Sequence, residues 1–99
     1  MARIELASEV FDDFERFFEH IAGFDPGSAR ARVLEIIEAV QVLANSPLIG
    51  RPVKGGKREL VIGRGSRGYV ALYRYVSEID TVFLLAVRSQ RESGYKHDL

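Results

Sequence analysis

Polar and apolar residues alternate in Arg3-Ile4-Glu5-Leu6-Ala7, the period of a short strand that buries Ile4 and Leu6 on one side. The period then changes to that of a helix. Val10, Phe14, Phe17 and Ile21 recur at intervals of four and three, and Phe11 and Phe18 widen the stripe. Ser8 is suited to cap this helix, Glu9, Asp12 and Asp13 place negative charge at its positive end, and Gly23 suits its termination. Asp25-Pro26 predicts a second helix start, with the carboxylate as cap and proline at the first helical position. Beyond it Ala29, Val33, Ile36, Val40 and Leu43 share one face, with Ile37 and Ala44 beside them, until Asn45-Ser46-Pro47 closes the segment. The two helices form a hairpin.

From Pro47 to Gly56 glycine and proline are frequent, which predicts an ordered loop with its apolar members against the core. Arg58–Ile62, Tyr69–Val76 and Thr81–Arg88 are dense in β-branched and aromatic residues and are separated by turn formers, so they read as an antiparallel meander. Glu78-Ile79-Asp80 is tight enough for a hairpin, and the apolar run Val82–Val87 predicts a central strand covered on both faces. The expected order is βααβββ, an α+β fold with a helical hairpin on a small, mainly antiparallel four-stranded sheet.

At 99 residues, with 46% hydrophobic and 28% charged, the chain has material for one core, so residues 1–99 read as a single globular domain. The lack of cysteine excludes disulfides and thiolate metal sites and fits a reducing compartment. No apolar run approaches the length of a membrane span and no leader pattern opens the chain, so the cytoplasm is the expected location and no membrane partner is expected. The net charge of zero conceals an asymmetry: residues 1–50 carry −5 and the remainder +5. Between positions 51 and 74, Arg51, Lys54, Lys57, Arg58, Arg64, Arg67 and Arg74 face only Glu59, which predicts a cationic surface suited to nucleic acid or an acidic partner.

Gly63-Arg64-Gly65-Ser66-Arg67-Gly68 matches the spacing of a dinucleotide loop, but a strand follows where a helix would have to receive the pyrophosphate, so it reads as a basic hairpin tip. His20 and His97 lack the spacing of a metal pair, and neither a metal nor a cofactor is expected. His20 is placed at the polar edge of the first helix near its C-terminus, where an imidazole meets the negative end of the dipole. Asp12, Asp13, Glu15 and Glu19 read as the solvated face of that helix. Tyr69, Ala71, Tyr73 and Tyr75 share one side of a strand and read as a covered sheet face, with base stacking as the alternative. Arg88-Ser89-Gln90-Arg91-Glu92 with Tyr95 gathers two guanidiniums, an amide and a phenol at a strand end, either to grip phosphate or carboxylate or to form a salt-bridged terminus with Glu92.

Taken together, the βααβββ order, Ser46-Pro47-Leu48-Ile49-Gly50-Arg51-Pro52, Gly68-Tyr69-Val70-Ala71-Leu72-Tyr73-Arg74 and Ala86-Val87-Arg88-Ser89-Gln90-Arg91-Glu92-Ser93-Gly94-Tyr95 resemble the RelE/ParE toxin superfamily over essentially the whole chain. The resemblance implies a bacterial type II toxin-antitoxin module of the kind linked to plasmid stabilisation, neutralised by a largely helical ParD-like or RelB-like antitoxin. RelE-like members cleave mRNA in the ribosome with lysines on the strand before the basic loop, an arginine after the Gly-Tyr pair, and an arginine and a tyrosine after the last strand. ParE-like members poison DNA gyrase and lack that set. Here Val61 and Gly63 stand at the lysine positions, Val70 follows Gly68-Tyr69, and Ser89 replaces a histidine common in relatives. The ParE-like branch is therefore expected, with no catalytic residue.

The alternatives are a ribosome-dependent endoribonuclease that would draw on Arg88, Arg91 and Tyr95, and a non-toxic antitoxin-binding module. The candidate target-binding cations are Lys54, Lys57, Arg58, Arg64, Arg67, Arg88 and Arg91. Phe11, Phe14, Phe17 and Phe18 form a stripe too broad for one sheet face, and they are the candidate antitoxin-binding residues.

Overall fold

A computed structural model describes Met1–Leu99. Strand β1 (Arg3–Leu6) leads into helix α1 (Ser8–Ala22) and helix α2 (Ala29–Val40), which ends in a 3-10 turn, Gln41–Ala44. Four strands follow: β2 (Arg51–Val53), β3 (Lys57–Ile62), β4 (Tyr69–Val76) and β5 (Thr81–Ser89). They form one five-stranded sheet in the order β1-β5-β4-β3-β2, with β1 parallel to β5 and every other pair antiparallel. The α+β architecture, the helical pair and the meander of β3, β4 and β5 match the sequence reading.

The sheet has a fifth strand because Arg51–Val53, read as loop, pairs antiparallel with Lys57–Glu59 of β3 through a turn whose Gly55 and Gly56 both take positive φ. Pro52 is tolerated there because β2 is an edge strand and needs no outward amide bond. Asp25-Pro26 does not start α2. The Ser28 amide donates to the Asp25 carbonyl (3.1 Å), closing a β-turn with proline second and glycine third, and the helix begins at Ala29. Ser8 is not the cap of α1 either: the Ala7 amide donates to the Leu84 carbonyl (2.9 Å), so the parallel ladder runs directly into the helix, and the Ser8 hydroxyl turns to Glu9.

The helices cover one sheet face. Val10, Phe14 and Phe17 of α1 and Ile36 and Val40 of α2 pack with Leu43 against Ala71, Tyr73, Val82 and Leu84. The tyrosine row is a covered face, as expected: Tyr73 is fully buried, its hydroxyl donating to the Pro47 carbonyl (2.7 Å) and accepting from the Gly50 amide (2.9 Å). Central β5 lies between β1 and β4 and carries a bulge: Leu72 pairs with Ala86 but Tyr73 with Leu84, leaving Leu85 over. This shift in parity brings Val87 into the helix-side core together with Val82 and Leu84.

Two expectations about α1 fail. Phe14 and Phe17 are core residues, whereas Phe11 (58%) and Phe18 (43%) are exposed, so the aromatic stripe is split between the interior and the surface. Asp13 is not solvated at all. It is fully buried, and its Oδ2 accepts the Val87 amide (2.9 Å) on the stretch of β5 beyond Leu84, where the pairing with Leu6 at the end of β1 stops. Its Oδ1 accepts from Arg16 (2.7 Å) and lies 2.9 Å from His97 Nε2, which ties α1, β5 and the C-terminal tail together.

Candidate functional site

Two regions gather the residues singled out by the sequence. The first is the end of β5 and the tail beyond it. The Arg88 guanidinium donates to the carbonyls of Ser89 (3.3 Å) and Glu92 (3.1 Å) and sits 5.5 Å from the centre of the Tyr95 ring. Glu92 Oε1 accepts from the Ser89 amide (2.8 Å) and from Arg16 (3.1 Å). Burial opposes ionisation of Glu92, but the Ser89 and Arg16 bonds outweigh it and hold the carboxyl below the usual range. This end of the sheet is a salt-bridged terminus, but Glu92 pairs with Arg16 and Lys96 rather than with Arg88 or Arg91 as the sequence suggested.

Tyr95 belongs to the same structure. Its hydroxyl donates to Glu59 Oε2 (2.7 Å), while Arg51 holds Oε1 of the same carboxylate (2.7 Å). Burial and then the adjacent Glu59 push the phenol well above its ordinary value, so it keeps its proton and cannot serve as a base near neutrality. Glu59 is held low because the Tyr95 and Arg51 bonds outweigh the effect of burial. Nearby, Val70 is buried and Val61 is half exposed. Positions 61 and 70 thus carry apolar side chains, and the phenol of Tyr95 is bonded within the chain.

The predicted cationic surface is divided by the fold. Arg58 donates to the Leu48 (3.1 Å) and Gly50 (2.8 Å) carbonyls and Lys57 to the Leu99 carbonyl (3.0 Å), so both hold chain segments in place, as Arg88 does. Lys54 is exposed at the β2–β3 turn and Arg64 at the β3–β4 connection. Arg67 and Arg91 do come together, on the rim of an open groove of ≈ 530 Å³ between the turn that follows α1 and the ends of β4 and β5.

That groove is the second region. Ile21 and Tyr69 contribute apolar surface, the Tyr69 ring lying 4.9 Å from Phe17 of the core. Ser66, Ser89, His20 and Arg32 join the two arginines on the lining, with Asp25 the one carboxylate. Arg32 and His20 as groove residues escaped the sequence reading. A signal was available: the first turn of α2 has arginines and no acid, the reverse of what a helix N-terminus favours.

The sequence matches the description "ParE toxin of type II toxin-antitoxin system, parDE" over residues 4–94. The chain belongs to the ParE toxin family. Its fold is similar to that of a chain in the chromosomal ParDE toxin-antitoxin system from P. aeruginosa (22% identity, 90% of this chain and 96% of that one, TM-score 0.76). It is also similar to a chain of the intact E. coli RelBE toxin-antitoxin complex (16% identity, 93% and 100% covered, TM-score 0.65). A third likeness is to the RelBE2 toxin-antitoxin complex from Mycobacterium tuberculosis (23% identity, 90% and 98% covered, TM-score 0.61). No curated protein matches the sequence. No helix of this ParE-family chain is long and apolar enough to cross a membrane, and no cluster of His, Cys, Asp and Glu has the geometry to hold a metal ion.

Proposed function

We propose that this ParE-family chain is a toxin that inhibits DNA gyrase by binding and is neutralised by a cognate antitoxin. The observation that carries the choice of gyrase over mRNA is Tyr95: the one tyrosine placed to assist in-line cleavage donates a hydrogen bond to Glu59 at 2.7 Å and lies half-buried against Arg88, whose strand partner is Val70. With Tyr95 holding its proton and valine in place of a cation at position 70, phosphodiester cleavage has nothing at those positions to activate the attacking hydroxyl. The antitoxin half of the proposal is supported by Phe11 and Phe18, which leave apolar surface open on α1, and by relatives of this fold being found in ParDE and RelBE complexes.

Induction of the chain without its partner tests the reading. Extracts should then contain gyrase-linked DNA breaks and intact mRNA. Codon-positioned mRNA cleavage that disappears in Tyr95→Phe would restore the ribonuclease alternative, and unchanged growth would favour a non-toxic module.

A further inference from the structure

The groove beside the first turn of α2 has a composition that neither the core nor the β5 terminus requires. Arg32, Arg67 and Arg91 line it, and none of the three forms an ion pair, although other arginines of the chain, Arg3, Arg16 and Arg51, do. Guanidiniums brought together without carboxylate partners repel one another, and Arg32 also opposes the positive end of the α2 dipole. Asp25 offsets only part of this charge. An anion supplied from outside would complete the site, and guanidiniums together with the hydroxyls of Ser66 and Ser89 are the donors that phosphate oxygens accept from.

The second element is aromatic. Phe24 is 65% exposed on the groove wall, where the His20 ring meets it edge-on at 5.5 Å. A large ring held in solvent next to unpaired cations suits a nucleobase, which offers a π-face to the ring while its phosphate meets the arginines. An acidic peptide would satisfy the cations equally well but leave Phe24 unused. The ≈ 530 Å³ of the groove falls within the ~300–1,000 Å³ of small-ligand sites, room for a nucleotide-sized piece.

We propose that this groove binds single-stranded nucleic acid, seating one nucleotide with Phe24 stacked on its base while Arg32, Arg67 and Arg91 on the open rim meet the phosphates of the strand passing over it. The groove borders the Glu59–Tyr95–Arg88 cluster at Ser89, whose carbonyl accepts from Arg88, but uses none of the three, and the proposal holds whether or not gyrase is the target.

Fluorescence anisotropy of a labelled oligothymidylate, titrated with the full chain over a salt series, is the test. Three phosphate contacts give a slope of log K against log salt of about −2, and each of Arg32→Ala, Arg67→Ala and Arg91→Ala should reduce its magnitude by roughly 0.7. Phe24→Ala should weaken binding about tenfold with the slope unchanged. Arg30→Ala, on the same helix turn but off the groove, should bind as the parent does. Urea midpoints verify folding, and should Arg32→Ala prove unstable, the Arg67→Ala/Arg91→Ala pair decides alone, since both side chains are exposed. No binding of the oligonucleotide, or binding indifferent to the arginine variants, overturns the proposal. So does oligoglutamate that binds as tightly and competes, which would make this an acidic-peptide site.

Discussion

Replacing Asp13 by alanine removes the one side chain that joins α1 to both β5 and the C-terminal tail. Its carboxylate is fully buried and receives the Val87 amide (2.9 Å), Arg16 (2.7 Å) and His97 (2.9 Å). Alanine leaves the Val87 amide without an acceptor in the core, at a cost of about 1–3 kcal/mol. Losing the pair with Arg16, which is partly exposed and keeps Glu92, adds up to about 1 kcal/mol, for a total of about 1–4 kcal/mol. For a chain of 99 residues the whole stability is roughly 5–15 kcal/mol, so Asp13→Ala consumes a large share of it. At about 4–8 °C per kcal/mol the midpoint should fall by at least ~4 °C.

Asp13→Asn provides the internal comparison. The amide oxygen can still accept from Val87 while the charge facing Arg16 is gone, so the loss should be smaller than for alanine. Thermal and urea unfolding of both variants read the magnitude, and hydrogen exchange at the Val87 amide reads the mechanism, with fast exchange in the alanine variant and retained protection in the asparagine one. A loss below about 1 kcal/mol for Asp13→Ala, or equal exchange in the two variants, would refute the reasoning.

The Gly50→Ala variant places a methyl group 2.7 Å from the Tyr73 ring and hydroxyl and 2.8 Å from the Glu59 carbonyl, so urea melts should show a loss of about 1–3 kcal/mol from overpacking. Acid sensitivity follows from Glu59 and Glu92, whose carboxyls are held below the usual range. Their contribution is present above an unfolded pKa of about 4.3 and is lost as pH falls through the lowered folded values, so the urea midpoint should drop below about pH 4 and Glu59→Gln or Glu92→Gln should flatten that fall. Tyr95→Phe should cost about 1 kcal/mol in the same melts and leave growth inhibition intact. Joint replacement of Phe11 and Phe18 by serine should leave the melt nearly unchanged, since both rings are exposed, and slow or abolish capture by the product of the adjacent reading frame; a steep loss of stability instead would place the rings in the core.

Local pattern was sufficient wherever one residue's neighbours in sequence are also its neighbours in space. The stripe Val10, Phe14, Phe17 and Ile21 located α1 and its inward face, Ala29 to Leu43 located α2, and three β-rich runs located β3, β4 and β5. The absence of cations at positions 61, 63 and 70 was also visible without coordinates. What the pattern misjudged depended on partners far along the chain. Asp13 looks like any carboxylate on a polar helix face, and only the unpaired Val87 amide, 74 positions away, makes its burial favourable. The role of Arg58 was hidden in the same way, because the Leu48 and Gly50 carbonyls that it satisfies belong to a loop whose path is set by the Tyr73 hydroxyl.

The groove shows the same division. Arg67 and Arg91 were recognisable as basic residues near a hairpin tip and a strand end, but Arg32 and His20 join them only because the helical hairpin folds its turn over that end of the sheet. Composition and periodicity therefore determined which elements form and which chemistry they carry. Tertiary structure decided which charges are spent on holding the chain together and which are left unpaired, because burial and the satisfaction of backbone groups are properties of neighbours in space.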